Sequence, residues 1–195
     1  MPEQQQERQH RIVLVRHAKS AWPDGVDDHE RPLAPRGLRA APLAGRRLAG
    51  HGWTPDLALV STAERALRTW QLMAAELPAP PEAVRDGRLY GLDTGEQLIA
   101  LLAALPDPVA TVLVLGHNPV LHEAADALAG EADDPAQAAR LRERFPTAAV
   151  AVLAFTGPWQ RLRPGTARLV DHWTPKGGRG RPGRQSRRPA PVRAF

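Results

Sequence analysis

The chain has 195 residues, 43% of them hydrophobic and 24% charged, a composition that fits one soluble globular domain and is too short for two ordinary ones. It contains no cysteine, which excludes disulfides and thiolate metal sites. The formal net charge of +5 is unevenly placed: residues 175–195 carry seven basic side chains and no acid, and the 174 residues before them sum to −2, so the charge gives no reason to read the folded part as a nucleic-acid-binding domain.

Residues Met1–His10 are polar and carry no apolar segment, so no secretory leader is expected. The longest apolar run, Leu98–Leu105, is too short to cross a bilayer, and a cytoplasmic protein without membrane attachment is the expectation. The expected organisation is a flexible N-terminus over 1–10, one domain over 11–174 and a disordered Arg-rich tail over 175–195.

Ile12-Val13-Leu14-Val15 is an unbroken aliphatic run, three of its four residues β-branched, which suits a strand buried on both faces of a parallel sheet. It runs into Arg16, His17, Lys19 and Ser20, at the carboxyl end where open α/β sheets bind ligands. An Arg offers a planar fork of donors for phosphate or carboxylate oxygens, and the adjacent His offers a nitrogen that acts as nucleophile, acid or base.

Ala21–Pro35 is a long loop that holds Asp24, Asp27 and Asp28. A helix is predicted over 35–50, with Pro42 delaying its start or kinking it and Gly50 and Gly52 ending it. Leu57–Val60 is the second buried strand, and Ser61 and Thr62 are placed to cap a helix that carries Arg65 on its first turn. A weak extended segment is expected over 84–90, and Thr94 with Gln97 forms a capping box for a helix over 95–105 with Glu96 on its first turn. Val109–Leu115 is a third buried strand ending at Gly116-His117-Asn118-Pro119. Helices are predicted to about Leu128, where Gly130 acts as a stop, and over 135–144; strands are predicted over 147–155 and, near the sheet edge, over 167–170. This alternation is that of an α/β domain with a largely parallel sheet covered on both faces. Three strand ends then deliver Arg16 and His17, Arg65, and His117 to one edge of the sheet.

With those motifs the sequence resembles the histidine phosphatase superfamily, the phosphoglycerate mutase-like enzymes, and within it the short SixA-type phosphohistidine phosphatases. The resemblance rests on Leu14-Val15-Arg16-His17-Ala18-Lys19-Ser20, on Arg31-Pro32-Leu33 followed by Gly37, on Ser61-Thr62-Ala63-Glu64-Arg65-Ala66-Leu67-Arg68-Thr69 and on Gly116-His117-Asn118-Pro119, and it spans about Ile12 to Val170. It implies a three-layer α/β/α sandwich with a mostly parallel central sheet. It also implies that His17 is the nucleophile, that Arg16, Arg65 and His117 hold the phosphoryl oxygens, and that no metal or other cofactor takes part. Glu96 is the best positional match to the proton donor of larger members, with Asp27 and Asp28 as rivals. Lys19, Ser20 and Asn118 are candidate substrate contacts, and Trp22 is the tryptophan placed to touch substrate. The implied substrate is a phosphorylated protein histidine or a similar phosphoramidate; small phosphomonoesters or sugar phosphates are the alternative. Mutase chemistry is disfavoured, since the chain has no insertion with which to close the pocket. Weak, salt-sensitive polyanion binding through the tail is a separate expectation.

Overall fold

The computed structural model describes residues 8–175. The aliphatic run lies within strand β1, Gln9–Arg16, where Ile12, Val13, Leu14 and Val15 are wholly buried. Alternate side chains of a strand point to opposite faces. Ile12 and Leu14 accordingly join one apolar cluster and Val13 and Val15 join another, so β1 is covered on both sides.

Six further strands complete the sheet: β2 (Leu57–Ser61), β3 (Ala83–Asp86), β4 (Thr111–Gly116), β5 (Ala129–Ala132), β6 (Val150–Thr156) and β7 (Ala167–Trp173). Their order is β3-β2-β4-β1-β6-β7-β5. β6 is antiparallel to both of its neighbours, and every other pairing is parallel, so six strands share one direction.

Helices α1 (Pro35–Gly50) and α2 (Glu64–Ala74) cover one face, burying Ala41, Ala44 and Leu48 beside Ala66, Trp70 and Met73. The two helices approach closely at Gly45, where a Cβ would lie 2.3 Å from the Met73 carbonyl oxygen. Helices α4 (Gly95–Ala103), α5 (Val120–Leu128) and α6 (Pro135–Glu143) cover the other face through Leu98, Ile99, Leu102, Leu121, Leu128 and Leu141. The result is the expected three-layer α/β/α sandwich with a mostly parallel central sheet. The remaining helix, α3 (Arg88–Gly91), is a single turn.

Four expectations differ in detail. Helix α1 starts at Pro35 and runs through Pro42: the proline removes one N–H from the ladder, and buried Ala41, Ala44 and Leu48 hold the turns around it against the sheet. Gly130 lies within β5, so the segment expected to be only a helix stop is a short edge strand. β7 lies next to β5, near the edge as expected, but continues past Val170 to Trp173. The segment over 84–90 divides into the end of β3 and α3. The Arg-rich tail lies outside the described residues, as does most of the expected N-terminal extension.

Candidate active site

Because β1, β2 and β4 are parallel, their carboxyl ends meet at one edge of the sheet. Arg16 is in register with Gly116, and the His17 amide donates to the Gly116 carbonyl at 3.0 Å, which sets the segment after β1 beside the segment after β4. The imidazoles of His17 and His117 lie there with ring centroids 5.1 Å apart. β2 brings Ser61 to the same edge, and the first turn of α2 brings Arg65. β6, running the other way, contributes its leading end, and Thr147 lines the cleft these segments enclose. The cleft has a volume of about 460 Å³.

His17 is held by its own turn. Its Nδ1 lies 2.8 Å from the Ala18 carbonyl oxygen, which can only accept, so Nδ1 carries the proton and Nε2 keeps its lone pair. The Ala18 amide donates to Thr69 Oγ1 at 3.0 Å, and that hydroxyl donates to the Arg65 carbonyl at 2.6 Å, tying the turn to α2. Burial lowers the His17 pKa to about 4, with the Arg65, Arg16 and Arg31 guanidiniums adding to the effect against the opposing Ala18 hydrogen bond.

His117 adopts the other tautomer. Arg65 Nη2 lies 3.4 Å from its Nδ1 and can only donate, so Nδ1 accepts and Nε2 carries the proton, donating to Ser61 Oγ at 2.8 Å. Burial, then the neighbouring His17 and Arg65, lower its pKa to about 3. At neutral pH both rings are uncharged.

Guanidiniums supply the positive charge. Arg16 donates to the Phe145 carbonyl oxygen at 3.0 Å, and Asn118 Nδ2 donates to the same oxygen at 2.8 Å. Buried Nε atoms of Arg16 and Arg65 and the buried Oδ1 of Asn118 have no hydrogen-bond partner. Arg65 donates to the Asp28 carbonyl oxygen at 2.5 Å and to its Oδ2 at 2.9 Å. Asp28 also accepts from Arg31 Nη1 at 2.7 Å and from the Tyr90 hydroxyl at 2.8 Å. Arg31 first, then Tyr90 and Arg65, hold the Asp28 carboxyl well below the usual carboxylate range, and Asp28 in turn raises the Tyr90 pKa.

Arg31 also braces the rim of the cleft. It donates to Ser20 Oγ at 2.6 Å and to the Ala21 carbonyl at 3.0 Å, and its guanidinium lies 3.1 Å from the centroid of the Trp22 ring, which is 71% exposed. The start of α1 packs on the same rim: a Cβ on Gly37 would sit 2.2 Å from the Lys19 carbonyl oxygen. Among the described residues no group of three or more His, Asp or Glu side chains is placed to hold a metal ion.

The family model for the histidine phosphatase superfamily (branch 1) matches residues 12–97. A candidate phosphohistidine phosphatase SixA from Nakamurella multipartitia has 33% sequence identity and a TM-score of 0.73, over 86% of this chain and 96% of that one. The chain belongs to the histidine phosphatase superfamily. Within this superfamily it is of the SixA type, a phosphatase, and it is similar to a second candidate SixA, from Agrobacterium tumefaciens, at 30% identity and a TM-score of 0.69 over 85% of this chain and 99% of that one. An uncharacterised protein of Mycobacterium tuberculosis is 44% identical over 163 residues, which are 83% of this chain and 100% of that protein.

Of the residues singled out from the sequence, Arg16, His17, Lys19, Ser20, Arg65, His117 and Asn118 all line the histidine phosphatase cleft. Glu96 does not: it is exposed on the first turn of α4 and is not among the lining residues. Gly95 explains its position, since its amide donates to Glu123 Oε2 at 2.9 Å and seats the start of α4 on α5. Of the two loop acids, Asp28 lines the cleft and Asp27 does not. Ser61 and Thr62 do not cap α2, whose N-cap is Ala63 with no side-chain cap; Ser61 serves His117, and Thr62 Oγ1 lies 2.9 Å from His29 Nε2. Tyr90 and Thr147 line the cleft without having been singled out from the sequence, because Tyr90 has no motif to mark it and Thr147 stands at the leading end of its expected strand, which reaches this edge only because β6 is antiparallel. No helix among the described residues is long and apolar enough to cross a membrane.

Proposed function

We propose that the chain is a phosphohistidine phosphatase in which His17 takes the phosphoryl group and water then removes it. His17 Nε2 forms the new bond to phosphorus as the bond to the leaving nitrogen breaks, and that nitrogen departs as neutral imidazole. Water attacks the phosphorylated His17, releasing inorganic phosphate and returning Nε2 to its free state. Arg16, Arg65 and His117 hold the non-bridging oxygens, the unpartnered Nε atoms being donors still available at this site. The dianion offsets the effects that keep His117 neutral, so His117 gains a proton as substrate binds and donates a charged hydrogen bond.

The observation that carries this reading is the state of Asp28. Among the described residues it is the one carboxylate lining the cleft, and Arg31, Tyr90 and Arg65 hold it ionised. An ionised carboxylate cannot protonate an alkoxide leaving group. A phosphohistidine needs no such donor, because its other ring nitrogen takes a proton from solvent and the ring then leaves as neutral imidazole. The exposed Trp22 and Tyr90 at the rim support a protein-borne substrate, since they leave the mouth of the cleft open.

A substrate panel tests the reading. kcat/KM is expected to be highest for phosphohistidine, intermediate for an aryl phosphate and lowest for alkyl and sugar phosphates. Comparable values for a sugar phosphate would favour the phosphomonoester alternative.

A further inference from the structure

A second cavity of about 440 Å³ opens beside the active-site cleft, lined by Arg140, Arg144, Pro146, His172, Trp173 and Thr174. The two are separated by one short segment: Thr147 lines the active site, Pro146 lines the second cavity, and the Phe145 carbonyl accepts from Arg16 and Asn118. β7 runs parallel to β1 and ends at Trp173, which places this cavity on the catalytic edge of the sheet.

Its chemistry is cationic. Arg140 and Arg144 are exposed, and among the described residues no carboxylate lines the cavity. The nearest acid to Arg140 is Asp134 at 4.0 Å, and Arg144 has no salt-bridge partner among the described residues. Asp171, next to His172 in the chain, is already held by both Arg47 Nε and Nη2 at 2.8 Å, and Glu143, next to Arg144, is exposed and not among the lining residues. His172 is buried against Phe145, with ring centroids 5.7 Å apart, and its buried Nδ1 has no hydrogen-bond partner.

We infer that this cavity docks an acidic stretch of the substrate polypeptide, next to the phosphohistidine in the main cleft. Two exposed guanidiniums, Arg144 unpaired among the described residues and Arg140 in a long, exposed pair with Asp134, over an apolar floor of Trp173 and Pro146 suit Asp or Glu side chains on an extended segment. The inference rests on the phosphohistidine reading and adds to it what surrounds the phosphorylated residue.

The test uses the full chain and three substrates: a phosphohistidine peptide with Asp and Glu flanks, the same peptide with Ser and Gln flanks, and free phosphohistidine. Since exposed ion pairs contribute little each and are screened by salt, the acidic peptide should exceed the neutral one in kcat/KM by roughly tenfold at low salt, and by less as salt rises. Arg140→Ala with Arg144→Ala should bring that ratio to within about twofold while leaving turnover of free phosphohistidine unchanged, and the Arg→Lys pair should restore part of the preference. A wild-type ratio near one, or a ratio unaltered in the double variant, overturns the docking site. Fluorescence anisotropy with the unphosphorylated acidic peptide provides a readout independent of turnover, with binding to the wild type and loss in the double variant. Tighter binding of an oligonucleotide of equal charge, lost in the same variant, would overturn a polypeptide as the occupant. Failure to hydrolyse any phosphohistidine, with an aryl phosphate still cleaved, would overturn the phosphohistidine reading, and anisotropy would still decide the docking site.

Discussion

Arg65 Nη2 donates to Asp28 Oδ2 at 2.9 Å, so the guanidinium proposed to bind phosphate holds a carboxylate inside the cleft. An arriving phosphoryl group must share or displace that contact. Asp28→Asn keeps the shape and removes the charge. It is expected to tighten inhibition by vanadate or phosphate by about fivefold, a modest fraction of the Coulomb energy of two close charges because Asp28 is half exposed to water. Weaker inhibition in that variant would mean that Asp28 chiefly positions Arg31 and Arg65 for the anion.

The buried imidazole of His17 and the half-buried one of His117 give an expected acid limb for activity and for stability. His17 and His117 have pKa values of about 4 and about 3, so both stay neutral well below the usual histidine range, and the pair titrates as a unit. kcat/KM for free phosphohistidine should show no loss from His17 protonation between about pH 5 and pH 7, whereas an unperturbed histidine would titrate near 6.5. Stability moves differently. A histidine whose folded pKa lies below its unfolded value binds more protons when unfolded, so its stabilising effect is full above about pH 6.5 and declines as pH falls toward the folded value. Each imidazole should contribute a loss of about 2 kcal/mol between pH 7 and pH 5, and His17→Asn should flatten that slope in denaturant titrations at the two pH values.

Gly37→Ala tests the rim from behind. The added Cβ would lie 2.2 Å from the Lys19 carbonyl oxygen, and backbone must shift to admit it. Overpacking of this kind costs about 1–3 kcal/mol. The shift moves Lys19 and Ser20, so phosphatase kcat/KM should fall at temperatures where circular dichroism still reports a folded protein. Unchanged kinetics in a folded variant would show that the loop after His17 tolerates displacement.

Glu96→Gln separates position in sequence from position in space. With Glu96 exposed on α4 and outside the cleft, the variant should keep kcat/KM within about twofold of wild type, the usual effect of a surface change. Trp22→Ala should instead raise KM for a phosphohistidine peptide several-fold with less effect on kcat, since Trp22 lies at the open rim and supports Arg31 by stacking. Steady-state kinetics on both variants gives the contrast.

How much of this was readable from the chain follows from where each residue sits. Ile12–Val15 stands out because a strand buried on both faces needs an uninterrupted aliphatic run, and Arg16, His17 and His117 stand out because each ends such a run. β5, with Gly130 and Glu131 at its centre, has no such pattern, and its glycine reads only as a helix stop. The direction of β6 is silent in the sequence, since an aliphatic run looks alike in either sense, and Thr147 was hidden with it. Asp28 was legible as one acid among Asp24, Asp27 and Asp28; only the arrival of Arg31, Arg65 and Tyr90 from separate elements distinguishes it.

The reversal of β6 divides the surface for anyone who wishes to build on this scaffold. The loop before it, 144–149, walls the catalytic edge, whereas the loop after it, 157–166, turns at the far rim, where Arg163 and Pro164 are exposed. A reporter peptide spliced between Arg163 and Pro164 would thus ride on the protein at a distance from its chemistry, and an identical splice at Pro146 would plug it.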